Sequence, residues 1–487
     1  MRGRLFGLCI VALAFGSVIG AAKGLPPAAP AANLPLPASD RELVHQLFQQ
    51  LIEINTTHSV GSVTKAAQAM RQRLLDAGFP SADLALAGPT ENKQNLIARF
   101  RGSGKERPLV ILSHLDVVEA QPSEWTTDPF RLVEKDGYYY GRGTQDIKDN
   151  DAIAVETYIR LRRDGYRPDR DLILLLTADE EAGPNNGAAW LVQHRPDLFR
   201  DVEFVVNLDA GAVDLQDGRP LSVTYEAAEK TYADFELSAH DAGGHSSQPR
   251  VENPIDRIST ALIGLRASPF PLELNGVVRG FLTQEAPAYN GNMQALVKSA
   301  LAIPVEPSAL ARLAASSPYM NALLRTTCTP TRFDAGQAKN ALPELAKANV
   351  NCRILPGHSP LEIEQQITSA VNDSQVTIQY CSSGGVCGAA PSTGGLPAAA
   401  PIPLVLEALK NASAEVYPGV PLIPEMETGA SDSVYTMRAG IPSYGISGVG
   451  IDEDDIRAHG KDERLRVSSL DEGLQFFYLF LREISSP

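Results

Sequence analysis

Three short apolar segments of this 487-residue chain lead directly into side chains that can bind a divalent cation. Apolar runs of this kind, rich in β-branched residues, indicate buried strands of a parallel sheet. Ligands of open α/β sheets bind just beyond the carboxyl ends of such strands. The runs are 109–113, 172–177 and 204–208, followed respectively by His114 and Asp116, by Asp179, Glu180 and Glu181, and by Asp209. One acid after one strand is easily coincidence, but three such ends with a histidine among them predict a cation site.

His114 and Asp116 are two residues apart at the end of the first run. On an extended segment both side chains point to the same side. His114 can therefore bind a cation through one ring nitrogen while Asp116 fixes the orientation of the ring. Taken alone, this spacing is more often a surface pair.

Asp146 follows the glycine-containing segment 141–143 and precedes a predicted helix. Glycines permit a close approach of the backbone in such a turn. A carboxylate has two oxygens, so Asp146 can bridge two metal ions. The alternative is an aspartate that caps the helix.

Glu180 and Glu181 are adjacent acids at the end of the second run. Neighbouring carboxylates repel each other, so one of them is expected to bind metal or to carry a proton. If Glu181 binds metal, Glu180 is free to act as a general base on a water molecule. An acidic loop before a Gly-Pro pair is the alternative interpretation.

Two histidines and three acids form the candidate ligand set. Imidazole and carboxylate suit zinc, and they tolerate manganese or cobalt. Five ligands are too many for one catalytic zinc with an open position, but they suit two ions about 3.5–4 Å apart that share a carboxylate. The candidates are His114, Asp146, Glu181, Asp209 and His459.

These residues lie in stretches that resemble the M20 family of dinuclear zinc peptidases and amidohydrolases. That family includes glutamate carboxypeptidase, carboxypeptidase S, carnosinase-like dipeptidases and aminoacylase-1. Trp125 and the segment 128–130 look more like the carboxypeptidase S and aminoacylase branch than the succinyl-diaminopimelate branch. The matching stretches are 113–118, 141–148, 179–181, Asp209, 244–247 and 458–460 with Glu463.

The resemblance implies a role for each candidate ligand. One zinc would be held by His114, Asp146 and Asp209, and the other by Asp146, Glu181 and His459. Co²⁺ or Mn²⁺ could replace Zn²⁺. Glu180 would be the general base, and Asp116 would orient His114.

The resemblance also implies substrate contacts. His245 matches the substrate-clamping histidine of the family and would donate to the developing oxyanion. In dimeric relatives the partner subunit supplies that residue. Arg353 matches a carboxylate-binding arginine, whose guanidinium can grip a carboxylate with two hydrogen bonds. A surface charge is the alternative for Arg353.

Three more residues fall at substrate-facing positions of the family. They are Asn253, Gly429 and Ser431. A helix cap before Pro254 is the alternative for Asn253. The sequence departs from the family at Asp149 and Thr231, where glycine is usual, and neither change removes a ligand.

The N-terminal residues resemble a secretory signal. Arg2 and Arg4 precede an apolar stretch at 5–19, and 20–22 offers small residues for cleavage. A membrane anchor is the alternative, but the stretch is short for a span of about 20 residues. We therefore expect an exported protein, periplasmic or secreted, with signal 1–22, a Pro/Ala-rich leader at 23–38, and no stable membrane insertion.

Export leaves four cysteines, which allow three pairings. An oxidising compartment favours disulfides. The preferred pairing is Cys328 with Cys352 and Cys381 with Cys387. A thiolate nucleophile or a cysteine-ligated zinc is less favoured, because no Cys-x-x-Cys pair occurs.

The length of the chain favours two domains. Alternating strands and helices up to 229 predict a mostly parallel α/β sheet sandwiched by helices. Alternating strand patterns after 230 indicate an α+β segment with antiparallel character. We expect a catalytic domain formed by 39–229 and 391–487, interrupted by an inserted lid or dimerisation domain at 230–390. Within the insert, 274–318 looks irregular and partly helical. In the catalytic domain, 39–42 matches a capping box before the first helix.

Together with these residues, the resemblance implies zinc-dependent hydrolysis of an amide bond adjacent to a free carboxylate, by a carboxypeptidase or dipeptidase. An N-acyl-amino-acid amidohydrolase is the alternative. A non-catalytic exported binding protein is a remote alternative, because every ligand and the base are present. The substrate would be a small peptide or an N-acyl amino acid. The sequence is compatible with a homodimer but does not decide the oligomeric state. The net charge of −15 argues against a nucleic-acid partner.

Overall fold

The computed structural model describes residues 36–181, 185–382, 386–398 and 402–486 of the chain. The expected signal 1–22 and most of the leader 23–38 lie outside these described residues. Within them, no helix combines the length and the apolar character that crossing a bilayer requires.

Helices and strands alternate along most of the described chain. The helices are α1 (Ala38–Ile52), α2 (Val63–Asp76), α3 (Lys148–Arg163), α4 (Gly187–His194), α5 (Pro254–Ala267), α6 (Gly276–Glu285), α7 (Gly291–Ala300), α8 (Pro307–Ala314), α9 (Pro318–Leu324), α10 (Pro360–Val371), α11 (Pro403–Val416), α12 (Ser433–Arg438) and α13 (Val467–Ser485). The strands are β1 (Leu84–Ala87), β2 (Asn95–Phe100), β3 (Leu109–His114), β4 (Val133–Lys135), β5 (Tyr138–Tyr140), β6 (Leu172–Thr177), β7 (Phe204–Asn207), β8 (Val213–Gln216), β9 (Arg219–Glu229), β10 (Thr231–His240), β11 (Gly244–His245), β12 (Thr327–Ala335), β13 (Ala341–Leu342), β14 (Leu345–Ile354), β15 (Val376–Cys381), β16 (Leu422–Glu427), β17 (Ser443–Gly445), β18 (Gly450–Asp452) and β19 (Arg464–Arg466).

Ten strands form one large sheet with a parallel centre. Its order is β1-β2-β6-β3-β7-β17-β9-β8-β18, and β16 pairs with β9. β6, β3, β7 and β17 run parallel to one another. Every residue of β3 and β6 is buried, as is typical of strands covered by helices on both faces. The predicted mostly parallel α/β sheet is confirmed.

The two faces of β3 belong to different apolar clusters. Leu109 and Ile111 pack in the larger cluster, which also contains apolar side chains of α1, α3 and α13. Val110 and Leu112 point to the opposite face and pack with side chains of α4. Burying each such aliphatic side chain contributes about 1.5–3 kcal/mol. The run of apolar residues therefore fixes β3 between two helical layers.

A four-stranded antiparallel sheet has its own apolar core. Its order is β12-β14-β10-β15. Burial alternates residue by residue along β14, because one face of that strand packs on helices and the other does not. Val350 of β14 packs with Ile258 of α5 and Ile367 of α10. This sheet supports the proposal of an inserted α+β domain.

Two disulfides lie at this smaller sheet. Cys328 of β12 is bonded to Cys352 of β14, its partner in the strand register. Cys381, the last residue of β15, is bonded to Cys387. This is the pairing that the sequence favours.

The segment 274–318 is more regular than expected. It contains α6, α7 and α8, and α9 begins at its end. Their apolar side chains, among them Phe281 and Leu313, join the cluster of the large sheet and not that of the smaller one. Part of the proposed insert 230–390 thus packs with the catalytic sheet, and the smaller core is built from 233–270 and 328–380.

The capping box expected at 39–42 is not formed. α1 begins at Ala38, and no side chain caps it. Asp40 is buried and forms ion pairs with Arg160 and Arg163 of α3, at 3.1 Å and 2.5 Å. Asp40, inside the predicted box, is therefore held by the guanidinium groups of α3 and takes no part in a cap.

Glu156 of α3 gives the stability of the fold a dependence on pH. Its side chain is buried, and neither carboxyl oxygen has a hydrogen-bond partner within the described residues. Burial, followed by the charge of Asp40, raises the pKa of Glu156 to about 8. The folded protein therefore keeps a proton that the unfolded chain releases above about pH 4.5, and stability falls as pH rises between these two values.

We expect Glu156→Gln to remove this dependence. The free energy of unfolding of the variant should rise relative to that of wild type as pH increases from about 5 to about 9, by about 1.4 kcal/mol for each pH unit between the two pKa values. Thermal unfolding followed by circular dichroism at each pH measures it. Glu134→Gln, at an exposed position of β4, is the control and should follow wild type. A difference between Glu156→Gln and wild type that does not change with pH would contradict the assignment.

Candidate metal centre

The five predicted ligands lie at one edge of the large sheet. His114 ends β3, Glu181 follows β6, and Asp209 follows β7. Because β6, β3 and β7 are neighbouring parallel strands, their carboxyl ends meet. Asp146 lies between β5 and α3, and His459 lies between β18 and β19.

The two histidines face the two oxygens of Asp146. Nε2 of His114 is 3.1 Å from Oδ1 of Asp146 and 3.5 Å from Oδ1 of Asp209. Nε2 of His459 is 3.0 Å from Oδ2 of Asp146 and 2.9 Å from Oε1 of Glu181. Asp146 therefore stands between two groups of donors, as a carboxylate shared by two ions would.

These donors fit divalent cations. Nε2 of His114 and Oδ1 of Asp146 are buried, and neither makes a hydrogen bond within the described residues. Ligand atoms of His114, Asp146 and Glu181 lie within 4.8 Å of one another, and so do those of His114, Glu180 and Asp209. Glu180 is thus as close to this set as a ligand would be, whereas His459, with 38% of its side chain exposed, lies at the rim.

The crowding of acids shifts their protonation. Burial, followed by the charge of Asp209, raises the pKa of Glu180 well above its usual range. Burial, followed by the charge of Asp146, raises the pKa of Glu181 to about 7. Burial lowers the pKa of His114, but Asp209 and Asp146 outweigh it and raise that pKa well above 6.5. A divalent cation would displace the protons that this cluster otherwise holds.

Asp116 holds the loop of the paired glutamates. Its Oδ1 and Oδ2 accept hydrogen bonds from the backbone N–H groups of Glu180 and Glu181, both at 3.1 Å. Nδ1 of His114 lies 3.1 Å from the backbone oxygen of Asp116 and 3.7 Å from its carboxylate. β3 ends at His114, so the alternation of an extended strand does not continue to Asp116. The carboxylate therefore positions Glu180, and the backbone oxygen of Asp116 orients His114.

Glu463 holds the loop of Asp146. Its Oε1 accepts hydrogen bonds from the backbone N–H groups of Gln145, at 2.7 Å, and Asp146, at 3.2 Å. Its other oxygen pairs with Arg142, whose guanidinium also donates to the backbone oxygen of Gly460, at 2.9 Å. This buried pair ties the loop of Asp146 to the loop of His459.

Arg353 and the glutamate pair line the same cavity, of about 340 Å³. The cavity lies between the smaller sheet and the large one, because Arg353 comes from β14 whereas Glu180 and Glu181 follow β6. The guanidinium lies 4.8 Å from the ring centre of Tyr232, a cation–π distance. The positively charged side chain of Arg353 therefore lies at the cavity that Glu180 and Glu181 line.

A model of peptidase family M20/M25/M40 matches residues 110–483, most of the chain. The chain belongs to this family. The resemblance that the sequence shows is thereby confirmed, and the protein is a hydrolase of a family whose members typically bind two metal ions.

Two curated proteins and one solved structure illustrate what this M20 protein is similar to. The N-fatty-acyl-amino acid synthase/hydrolase PM20D1 of Xenopus tropicalis is 28% identical over 378 residues, which cover 76% of this chain and 71% of the relative. The probable carboxypeptidase S-like 2 of Dictyostelium discoideum is 27% identical over 399 residues, which cover 80% and 74%. The crystal structure of the M20 family metallo-carboxypeptidase Sso-CP2 of Sulfolobus solfataricus has a TM-score of 0.65 at 18% identity, with 91% of this chain and 99% of that chain covered. This last likeness shows the fold.

The remaining substrate-facing candidates of the M20 protein differ in position. Gly429 and Ser431 line a second cavity, of about 250 Å³, whose wall also includes Asp146, Glu181, Asp209 and His459 of the candidate metal centre. His245 is exposed on β11 and its Nδ1 lies 2.7 Å from Oγ of Ser247; it lines neither cavity. Asn253 caps α5 in a capping box with Asp256, which is the alternative that Pro254 suggests.

Several residues at the site carry no signal in the sequence. Glu226 of β9 and Glu427 of β16 line the second cavity, but a single acid within a strand gives no pattern. Lys93, just before β2, forms a buried ion pair with Asp179. Asp179 has a φ of 53°, a left-handed conformation that aspartate tolerates better than most residues. The ion pair with Lys93 thus helps to fix the turn at Asp179 that leads into Glu180 and Glu181.

We expect Glu463→Gln to weaken metal binding without abolishing the fold. The variant keeps the side-chain shape but loses the charge that pairs with Arg142, so the loops of Asp146 and His459 are held less firmly. Metal affinity, measured by competition with a chromogenic chelator, should fall about 10–100-fold.

Glu203→Gln is the matched control. Glu203 pairs with Arg170 before β7, at the opposite edge of the sheet. Its loss also breaks an arginine–glutamate pair, but it should leave metal affinity within about twofold. Equal losses in the two variants would show that Glu463 affects only the overall stability.

Proposed function

We propose that this M20 protein hydrolyses the amide bond next to a free carboxylate, as an exported carboxypeptidase or dipeptidase. The observation that carries the proposal is the cavity of about 340 Å³, lined by Glu180 and Glu181 and also by Arg353. One small substrate can place its carboxylate at Arg353 and its amide carbonyl beside Glu180.

Two Zn²⁺ ions are the proposed cofactors, with Co²⁺ or Mn²⁺ as alternatives. When bound, such ions lower the pKa of a water molecule and polarise a carbonyl group. Donor distances of 2.9–3.5 Å between the side chains support the division of ligands that follows. One ion would be held by His114, Asp146 and Asp209, and the other by Asp146, Glu181 and His459.

Glu180 is the proposed general base. It accepts a proton from water as the water oxygen attacks the carbonyl carbon, and it delivers that proton to the leaving nitrogen as the C–N bond breaks. One water is consumed, and an acid and an amine are released. The backbone N–H of Glu180 donates a hydrogen bond to Oδ1 of Asp116, and this bond fixes the position of the Glu180 backbone.

Arg353 is the proposed site for the substrate carboxylate. Its planar guanidinium can donate two parallel hydrogen bonds to a carboxylate. Tyr232 supports one face of the guanidinium. Gly429 and Ser431 stay proposed substrate-facing residues, because both line the cavity that also contains the proposed metal ligands.

His245 is the proposed oxyanion donor, and it requires a second copy of the chain or a movement of the smaller sheet. It is exposed and lines neither cavity within the described residues. A homodimer in which His245 reaches the site of the other copy is our proposal. Movement of the inserted domain is the alternative.

Export to the periplasm or the medium is proposed from the signal-like segment 1–22. The two disulfides support it, because disulfides persist in oxidising compartments.

A second candidate function is hydrolysis of N-acyl amino acids. The PM20D1 relatives favour it. The arrangement of Arg353 and Glu180 serves both reactions equally, since both substrates have a carboxylate next to the scissile amide.

We expect Glu180→Ala to lose turnover while it keeps metal. Removing a general base lowers kcat by about 10²–10⁴-fold. Turnover of a dipeptide and metal content by elemental analysis measure the two effects. Chelation of the wild-type protein is the control, because it should abolish turnover by removing the metal. Near-normal kcat in the variant would exclude this role, and loss of metal would assign Glu180 to the ligands.

We expect Arg353→Met to lose the preference for a free carboxylate. Wild type should hydrolyse a dipeptide with kcat/KM about 10–100-fold above that of its C-terminal amide, because the pair of charge-assisted hydrogen bonds is made with the acid only. The variant should reduce this ratio to near one. Arg332→Met, at an exposed position of β12, is the control. If the ratio of the two kcat/KM values in Arg353→Met equals that of wild type, the substrate carboxylate does not bind at Arg353.

A further inference from the structure

The side chain of Asn207 holds the backbone of the candidate metal ligand Asp209. Asn207 ends β7 and is buried. Its Oδ1 accepts a hydrogen bond from the backbone N–H of Asp209, at 3.2 Å. Its Nδ2 donates to the hydroxyl oxygens of Ser431 and Ser433, both at 3.0 Å. The oxygen and both hydrogens of this amide are therefore engaged, and its orientation is fixed by the groups around it.

Glu229 lies at the other end of this chain of hydrogen bonds. Its Oε2 accepts from the backbone N–H and from the hydroxyl of Ser431, at 2.8 Å and 2.9 Å. A hydroxyl has one hydrogen, and that of Ser431 points to Glu229, so the hydroxyl oxygen is left to accept from Asn207. The buried carboxyl group of Glu229 thus sets the direction of each hydrogen bond that leads to Asp209.

The backbone that bears Glu229 is itself fixed. Glu229 ends β9 of the large sheet, and β10 of the smaller sheet begins two residues later. Between them lies the buried Lys230, whose ammonium group donates to the backbone oxygens of Ala322 and Arg325, at 2.7 Å and 2.8 Å. Glu229 is also paired in register with Glu427 of β16. Its carboxyl group therefore projects from a firmly held segment and can serve as an anchor.

We propose that Glu229 is a positioning residue for the metal ligand Asp209. It acts through the hydrogen bonds of Ser431 and Asn207, and it lines neither of the two cavities at the metal centre. Because Ser431 lines both cavities, the same hydrogen bonds also hold the wall that the cavities share. The inference rests on the proposed role of Asp209 as a ligand and adds a residue that acts on it from outside the site.

Two substitutions separate the hydrogen-bond acceptor from the shape of the side chain. Burial raises the pKa of Glu229 to about 8, although hydrogen bonds from Ser431 oppose this shift. The neutral acid therefore predominates near pH 7, and Glu229→Gln keeps its shape and an oxygen for Ser431. Glu229→Leu keeps a similar volume but accepts no hydrogen bond. The hydroxyl of Ser431 is then no longer directed away from Asn207.

For Glu229→Leu we expect metal affinity, measured by competition with a chromogenic chelator, to fall about 10–100-fold. Glu229→Gln should restore it to within about threefold of wild type, since the acceptor is regained. The visible absorption of the Co²⁺-loaded protein, which reports the geometry of the ligands, should change in Glu229→Leu and not in Glu229→Gln. A residue that only supports the fold would not shift this spectrum.

Glu156→Leu is the matched control. It also replaces a buried acid of α3 that has an oxygen without a hydrogen-bond partner, as Glu229 does, within the described residues. Its metal affinity should stay within about twofold of wild type, because Glu156 has no hydrogen bond to the chain that leads to Asp209.

Ser431→Ala interrupts the same chain at its middle and serves where Glu229→Leu does not fold. It should also weaken metal binding. The double variant Glu229→Leu/Ser431→Ala should lose no more than about twofold beyond Glu229→Leu alone, because the two residues act in one path.

Four results would overturn the inference: wild-type metal affinity in Glu229→Leu or Ser431→Ala, additive losses in the double variant, no rescue by Glu229→Gln, or an equal loss in Glu156→Leu. Failure of the proposed function is recognised separately. If the metal-loaded wild-type protein hydrolyses no amide substrate, the proposed reaction is wrong, whereas chelator competition and the Co²⁺ spectrum still decide the role of Glu229 because neither needs a substrate.

Discussion

Mutual repulsion among buried carboxylates is the constraint on which this structure depends. Asp146, Glu180, Glu181 and Asp209 converge at the carboxyl edge of the parallel strands, close enough that each raises the cost of ionising another. Removing an unpaired carboxylate from water costs several kcal/mol. The cluster is tolerable only where backbone donors and cations neutralise it, and two histidines alone do not supply enough positive charge. The edge of the sheet is therefore built for a cation before any substrate is considered.

The acids are held in place by other buried groups rather than by one another. Asp116 accepts the two backbone N–H groups of the glutamate pair, and Glu463 accepts those of Gln145 and Asp146. Arg142 neutralises Glu463 and lies 5.1 Å from the ring centre of Trp125, at a cation–π distance. Each loop thus has its own fixed support, so the repulsion cannot be relieved by a small rotation. This is how the protein keeps a geometry that its charges oppose.

The sequence was sufficient to predict the site residues that directly follow regular strands. The apolar runs predicted β3, β6 and β7, and parallel strands necessarily bring His114, Glu181 and Asp209 to one edge. It was insufficient where tertiary contacts decide. Residues 39–42 matched a capping box, but α1 begins at Ala38 without a side-chain cap, and Asp40 pairs with two arginines of α3. The helices α6 to α9 carry no sign of which core they join. Glu226 and Glu427 are single acids in strands, and only the pairing of β9 with β16 places them at the same cavity.

The smaller sheet contributes the positively charged Arg353 to the cavity that Glu180 and Glu181 line. Both disulfides of the smaller sheet lie close to this arginine or to the cavity. Cys352 directly precedes Arg353 and is bonded to Cys328 on the neighbouring strand. Cys381 itself lines the larger cavity and is bonded to Cys387. Because side chains alternate along β14, Cys352 points into the small core while Arg353 points out toward the cavity. Covalent bonds therefore stiffen the strands that present the guanidinium, which makes its distance from Glu180 a property of the whole smaller sheet rather than of one flexible side chain.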